Sequence, residues 1–78
     1  MPKDNLPVCI HSERPLVELE RYELSVYRFA DEFYATWFCS ICGDLHETSR
    51  FDSQSSAQES GVAAIEAHHA ELHRRDGA

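Results

Sequence analysis

Two short clusters constrain this chain more than anything else in it: Cys39-Ser-Ile-Cys42 with Gly43 directly behind, and the run His68-His69-Ala-Glu-Leu-His73 near the end. The chain has 78 residues, so it forms one small domain. A core of that size leaves little margin over conformational entropy, and domains of this length are commonly stapled by disulfides, a metal or a partner. The cysteines number three, Cys9, Cys39 and Cys42. An odd count with no even framework argues against a secreted disulfide scaffold. The first residues, MPKDNLPVCIHSERP, contain no apolar stretch of signal-peptide length. No run approaches the ~20 apolar residues of a membrane span. A reducing cytoplasmic setting is therefore expected, and there a C-x-x-C is a metal or catalytic element.

Charge narrows the partners. Fourteen Asp and Glu stand against seven Lys and Arg, a formal net of −7. Nucleic-acid modules draw most of their affinity from phosphate neutralisation and normally carry a basic patch. Here the basic residues are scattered, apart from Arg74-Arg75, so the net field repels nucleic acid and anionic lipid.

All three prolines, Pro2, Pro7 and Pro15, fall within residues 1–15, which read as an irregular or extended arm with Val8-Cys9-Ile10 as a candidate short strand. Residues 16–76 are expected to form the domain. In LVELERYELSVYRF (16–29), Val17 and Leu19 alternate, then Tyr22, Leu24 and Val26, with a phase change near Glu20-Arg21 that indicates a bulge or bend. Ala30-Asp31-Glu32 is a turn, FYATWF (33–38) has the aromatic and β-branched content of a second strand, and Leu45 to Phe51 returns as a third. Ser56 and Glu59 have capping-box spacing, which predicts a helix from near Ala57 through VAAIEAHHAELHRR. Gly61 weakens that helix by up to ~1 kcal/mol against Ala. Arg74 and Arg75 suit its C-terminal dipole and Gly77 its stop, while Val62, Ile65, His69 and Leu72 share the face expected to be buried. The fold class is α+β: a small antiparallel sheet, a β-hairpin or three strands, packed on one C-terminal helix.

Paired cysteines on a hairpin followed by paired imidazoles on a helix supply the S₂N₂ set that tetrahedral zinc takes, and Gly43 suits the turn beneath such an ion. Residues 33–75 thereby resemble the ββα zinc finger with paired Cys and paired His ligands. Such fingers place about twelve residues between the second Cys and the first His. Here twenty-five separate Cys42 from His68, residues 43 to 67. The resemblance implies one structural Zn2+ with the metal geometry kept and the finger outline enlarged. It does not extend to DNA reading by the helix start, since SSAQESG offers no Arg or Lys. At about 100° per residue His69 and His73 lie about 40° apart, whereas His68 and His73 lie about 140° apart, which a regular helix cannot aim at one ion. The expected ligands are Cys39, Cys42, His69 and His73. His68 in place of His69 is the alternative, because Ile65-x-x-His68 matches the family's Leu-x-x-His and a five-residue step occurs in fingers whose last turn tightens.

Other readings of the same residues exist. Cys9-x-His11 could complete the site with Cys39 and Cys42, although a Cys between Val8 and Ile10 more commonly packs as a small apolar residue. A redox C-x-x-C needs a βαβ setting that opens a helix, which Gly43-Asp44 and strand-like residues do not supply. His46 is expected to cap or to face solvent, and Trp37, Phe38, Phe33, Phe29 and Tyr27 to pack in the core. No H-E-x-x-H motif is present, and the only asparagine is Asn5, against an HNH-type nuclease. Four protein ligands also close a zinc site to activated water, so no enzyme is expected. The function that fits is a small acidic zinc-binding module for protein interaction or regulation, including inhibition of a larger enzyme. Its partner would be another protein, met through an acidic face that includes Glu18, Glu20, Glu23, Glu66 and Glu71. A nucleic-acid-binding zinc finger is the alternative.

Overall fold

A computed structural model describes residues 6–73. The described residues form an α+β domain: an antiparallel sheet of four strands, a small separate hairpin, and one C-terminal helix. In chain order these are β1 (Val8–Glu13), β2 (Leu16–Val17), β3 (Glu20–Arg21), β4 (Glu23–Phe29), β5 (Glu32–Cys39), β6 (Asp44–Glu47) and α1 (Gln54–His68), with a π-helical turn over His69–His73. The sheet order is β1-β4-β5-β6, and β2 pairs only with β3.

The strands follow their composition. Val26, Tyr27, Phe33, Tyr34, Thr36 and Trp37 favour a pleated, half-buried surface. The tight loop Ala30-Asp31 sets Phe29 opposite Glu32, and Ala30 turns it with φ of 58°. Alternation then sends Leu24, Val26, Ala35, Trp37 and Cys39 to one face, where Ala57 and Ile65 of the helix cover them. On the other face Tyr27 stacks on Tyr34 at 5.5 Å, and the Arg50 guanidinium lies 4.5 Å from the Tyr34 ring centre. The aromatics expected in the core thus divide between the two faces, with Trp37 in the helix-side core and Tyr27 outside it.

Two expected outlines shift. Residues 8–13 of the presumed arm are a full strand paired with β4, bulged at Ile10 between Cys9 and His11. The bend near Glu20-Arg21 is a separate hairpin: Val17 faces Glu20, Glu18-Leu19 form its loop, and the chain re-enters the core at Tyr22.

The helix starts earlier than Ser56 suggests. Ser53 is the N-cap, its side chain accepting the Ser56 amide at 3.2 Å. Among adjacent serines the one preceded by the Phe51 bridge to Phe33 takes the cap, because pairing with β5 fixes where the chain can leave the sheet. The buried seam is Ala57, Gly61, Ile65 and His69, one residue every four, while Val62 is half-buried and Leu72 is 63% exposed. Small residues let the helix sit close to the sheet. Burying Ile65 is worth about 1.5–3 kcal/mol.

Gly61 is the tightest point. A Cβ there would stand 2.6 Å from Leu24 Cδ1 and 3.1 Å from the Ala35 Cβ. Its cost in helix propensity is offset by this close approach. Gly61→Ala should therefore destabilise by about 1–2 kcal/mol, overpacking exceeding the ~1 kcal/mol propensity gain. Chemical denaturation at fixed metal concentration checks the sign, and a stabilised variant would contradict the packing account.

Candidate metal centre

The cysteine side of the site is built by the connection between β5 and β6. Cys39 ends β5 and pairs with Asp44, so residues 40–43 must reverse the chain within one tight loop. Gly43 makes this possible with φ of 77°, donating its amide to the Cys39 carbonyl at 2.7 Å. The Cys42 amide donates to Cys39 Sγ at 3.4 Å. The loop therefore presents both sulfurs on one side, with Cys39 buried and Cys42 exposed.

The histidine side comes from the helix end. A π turn closes hydrogen bonds from residue i to i+5, so residues five apart come over one another. That widening over His69–His73 is what brings His68 and His73 together, with ring centres 5.0 Å apart. Cys42 Sγ lies 3.0 Å from His73 Nε2 and 3.5 Å from His68 Nε2, and Cys39 Sγ lies 3.5 Å from His73 Nε2. All four donor atoms fall within 4.8 Å of one another, close enough to hold a metal ion.

Crowding of the donors shapes the electrostatics of the group. The Cys42 thiol is pushed up, first by desolvation of its sulfur and then by the Cys39 hydrogen bond and the Cys39 and Asp44 charges. His68 is held below its ordinary range, first by burial and then by His73 and His46. A cation at the centre would reverse the pressure on Cys42, favouring thiolate sulfur, and reinforce that on His68, favouring neutral imidazole.

Of the four expected ligands, Cys39, Cys42 and His73 are gathered, and His68 stands where His69 was expected. His69 points elsewhere. It is buried at 2% exposure, its Nδ1 bonded to the Tyr22 hydroxyl at 2.9 Å and its Nε2 to Glu18 Oε1 at 2.6 Å. The α-helical wheel favoured His69 because it could not include a π turn. The five-residue step is made by a turn that widens, the opposite of the tightening read from the sequence.

The N-terminal pair stays apart from this group. Cys9 is exposed and donates its thiol to the His11 carbonyl at 3.6 Å, while His11 Nε2 meets Glu13 at 3.0 Å. β1 places both at the far edge of the sheet from β6.

Two residues near the centre take positions that the sequence did not show. His46, instead of facing solvent, is half-buried and stacks on Trp37 at 4.2 Å with 19° between the planes, 5.3 Å from the His68 ring. Its Nε2 is buried with no hydrogen-bond partner among the described residues. Tyr22 is 1% exposed, and its hydroxyl is pushed up to about 12 by burial first and then by the neighbouring Cys39. The alternation that marked Tyr22 as core gives no sign that its hydroxyl has a partner on the helix.

The acidic residues divide. Glu23, Glu66 and Glu71 are exposed, whereas Glu18 is engaged with His69 and Glu20 is half-buried with an interaction of its own. Arg74, Arg75 and Gly77 lie outside the described residues. Among those described, no helix is long and apolar enough to cross a membrane. Compared with known proteins, the chain matches no family, no curated protein and no solved structure.

Proposed function

We propose that this protein is a small zinc-stabilised module that acts by binding another protein, in a regulatory or inhibitory capacity. The observation that carries the zinc half is the gathering of Cys39, Cys42, His68 and His73 donor atoms within 4.8 Å. Zinc bonds of about 2.3 Å to sulfur and about 2.0–2.1 Å to nitrogen at tetrahedral angles set neighbouring donors roughly 3.3–3.8 Å apart. Three of the four sulfur–nitrogen separations, 3.0 to 3.5 Å, lie near that, and all the donor atoms lie within 4.8 Å of one another. Two thiolates and two imidazoles are a borderline-soft set, which favours zinc over magnesium or calcium.

A four-ligand site is closed, so its product is shape. The ion would tie the β5–β6 loop to the end of α1, the two ends of a domain whose core is otherwise one helix on one sheet. What such a scaffold displays is acidic, with a formal net of −7, and Glu23, Glu66 and Glu71 stand exposed. Rim charges of one sign steer association with an oppositely charged protein surface and act mainly on the on-rate. The same sign opposes nucleic acid.

The metal prediction is one zinc per chain. Cys39→Ser, Cys42→Ser and His68→Ala should each lose it with most of the folded structure, since metal binding supplies about 10–16 kcal/mol in finger peptides. Cys9→Ser, exposed and away from the group, should keep it. Elemental analysis with circular dichroism reads both, and zinc-free wild-type protein prepared without chelator would overturn the reading.

The partner prediction concerns nucleic acid. Zinc-loaded protein should show no retention of duplex DNA at about 50 mM salt, where phosphate electrostatics are strongest. Micromolar, sequence-selective duplex binding in a mobility-shift assay would replace the protein-binding proposal with a nucleic-acid-binding zinc finger.

A further inference from the structure

His69 lies next to the gathered donors yet takes no part in the group, and it is buried in the core at 2% exposure. Both ring nitrogens are taken by residues far away in sequence. Glu18 comes from the loop of the β2–β3 hairpin, and Tyr22 from the point where the chain enters β4. A carboxylate only accepts, so Nε2 carries the proton and donates to Glu18, and in the neutral imidazole Nδ1 accepts from the Tyr22 hydroxyl. Three elements therefore meet at one imidazole.

A second observation bears on the same chain of bonds. Glu18 has φ of 57°, in the left-handed region that a residue with a Cβ avoids. Gly, Asn or Asp would satisfy that loop position with less strain. Such outliers persist where surrounding structure holds them. Here the holding contact is visible: the strained residue is the one whose carboxylate reaches the buried imidazole.

His69 is also the first residue of the π turn. A regular α-helical continuation would set His69 and His73, four apart, on one face and turn His68 away from His73. We propose that Glu18, His69 and Tyr22 form a positioning strut that pins the start of the π turn, so that His68 and His73 face the cysteines and His69 is withheld from the ion. This rests on the metal-site reading of Cys39, Cys42, His68 and His73. The β2–β3 hairpin is thereby the element that selects which histidine binds. None of the three side chains touches the ion; they act through the backbone of the turn and through occupancy of both His69 nitrogens.

The test measures zinc affinity by competition against a chromophoric chelator, and the d–d and sulfur charge-transfer bands of the cobalt(II) form, in wild type, Glu18→Ala, Glu18→Gln and Tyr22→Phe. Tyr22→Phe keeps the buried ring and removes only the hydroxyl, so it reports on the strut separately from any loosening of the fold in Glu18→Ala. Loss of a hydrogen-bond partner of a metal ligand itself typically costs about 10- to 100-fold in affinity, and the strut, acting one step further out, should cost up to that. Glu18→Ala and Tyr22→Phe should weaken zinc by up to that factor and shift the cobalt bands, while Glu18→Gln, whose amide oxygen still accepts from Nε2, should restore both. Wild-type affinity and spectrum in Tyr22→Phe and Glu18→Ala would overturn the strut and leave the metal site standing. Equal weakening in Glu18→Gln and Glu18→Ala would overturn the role given to the Glu18 acceptor. Wild-type protein that takes up neither zinc nor cobalt would remove the metal reading itself.

Discussion

The close seat of α1 on the sheet decides where everything at the far end of the molecule arrives. Ala57 and Gly61 bring the helix against Leu24 and Ala35 with no room for one more carbon at Gly61. From that contact the helix runs past Ile65 to His68, and its end comes to rest beside the β5–β6 loop. The loop's own geometry is as constrained, since Cys39 must pair with Asp44 across a turn that only a glycine at position 43 makes without strain. Neither half brings four donors together alone. Helix placement, a tight loop and a π turn together do.

The sheet serves this arrangement on one face and closes itself on the other. Buried Leu24, Val26, Ala35 and Trp37 receive the helix. Arg50 lies over Tyr34 and Phe29, and Tyr27 stacks on Tyr34, so the opposite face is partly covered by its own side chains. Around the candidate centre the packing is aromatic: Trp37 and Tyr22 edge onto His68, and His46 lies flat on Trp37. Such walls limit the rotamers open to His68, which would lower the entropy lost if an ion fixed it.

Much of the fold was legible in the sequence, and the unread parts share a cause. Alternation at Tyr22, Leu24 and Val26, the aromatic strand at 33–38 and the helix with Ile65 inward all follow from local periodicity, and they gave the α+β architecture. Helical spacing of Val62, Ile65, His69 and Leu72 points to a seam that includes Val62 and Leu72, whereas the close contact is made by Ala57 and Gly61. Three prolines in residues 1–15 suggest an extended arm with Val8-Cys9-Ile10 as a short strand inside it, and pairing with β4 extends that strand to six residues, Val8–Glu13. At the candidate centre, C-x-x-C with Gly43 and the histidine run point to the two segments that the fold brings together. The choice between His68 and His69 was not local. It depends on bonds from His69 to residues 47 and 51 positions away, which no helical wheel contains.

The central claim is that one ion joins Cys39, Cys42, His68 and His73 across the loop and the π turn. NMR of the protein loaded with spin-active cadmium tests it most directly, because couplings through the metal name each ligand by its protons. The account predicts couplings to the β protons of Cys39 and Cys42 and to the ring protons of His68 and His73, with none to His69. It also predicts a proton–nitrogen correlation in which His68 and His73 are metallated at Nε2. Coupling to His69 in place of His68, or to Cys9 or His11, would contradict it.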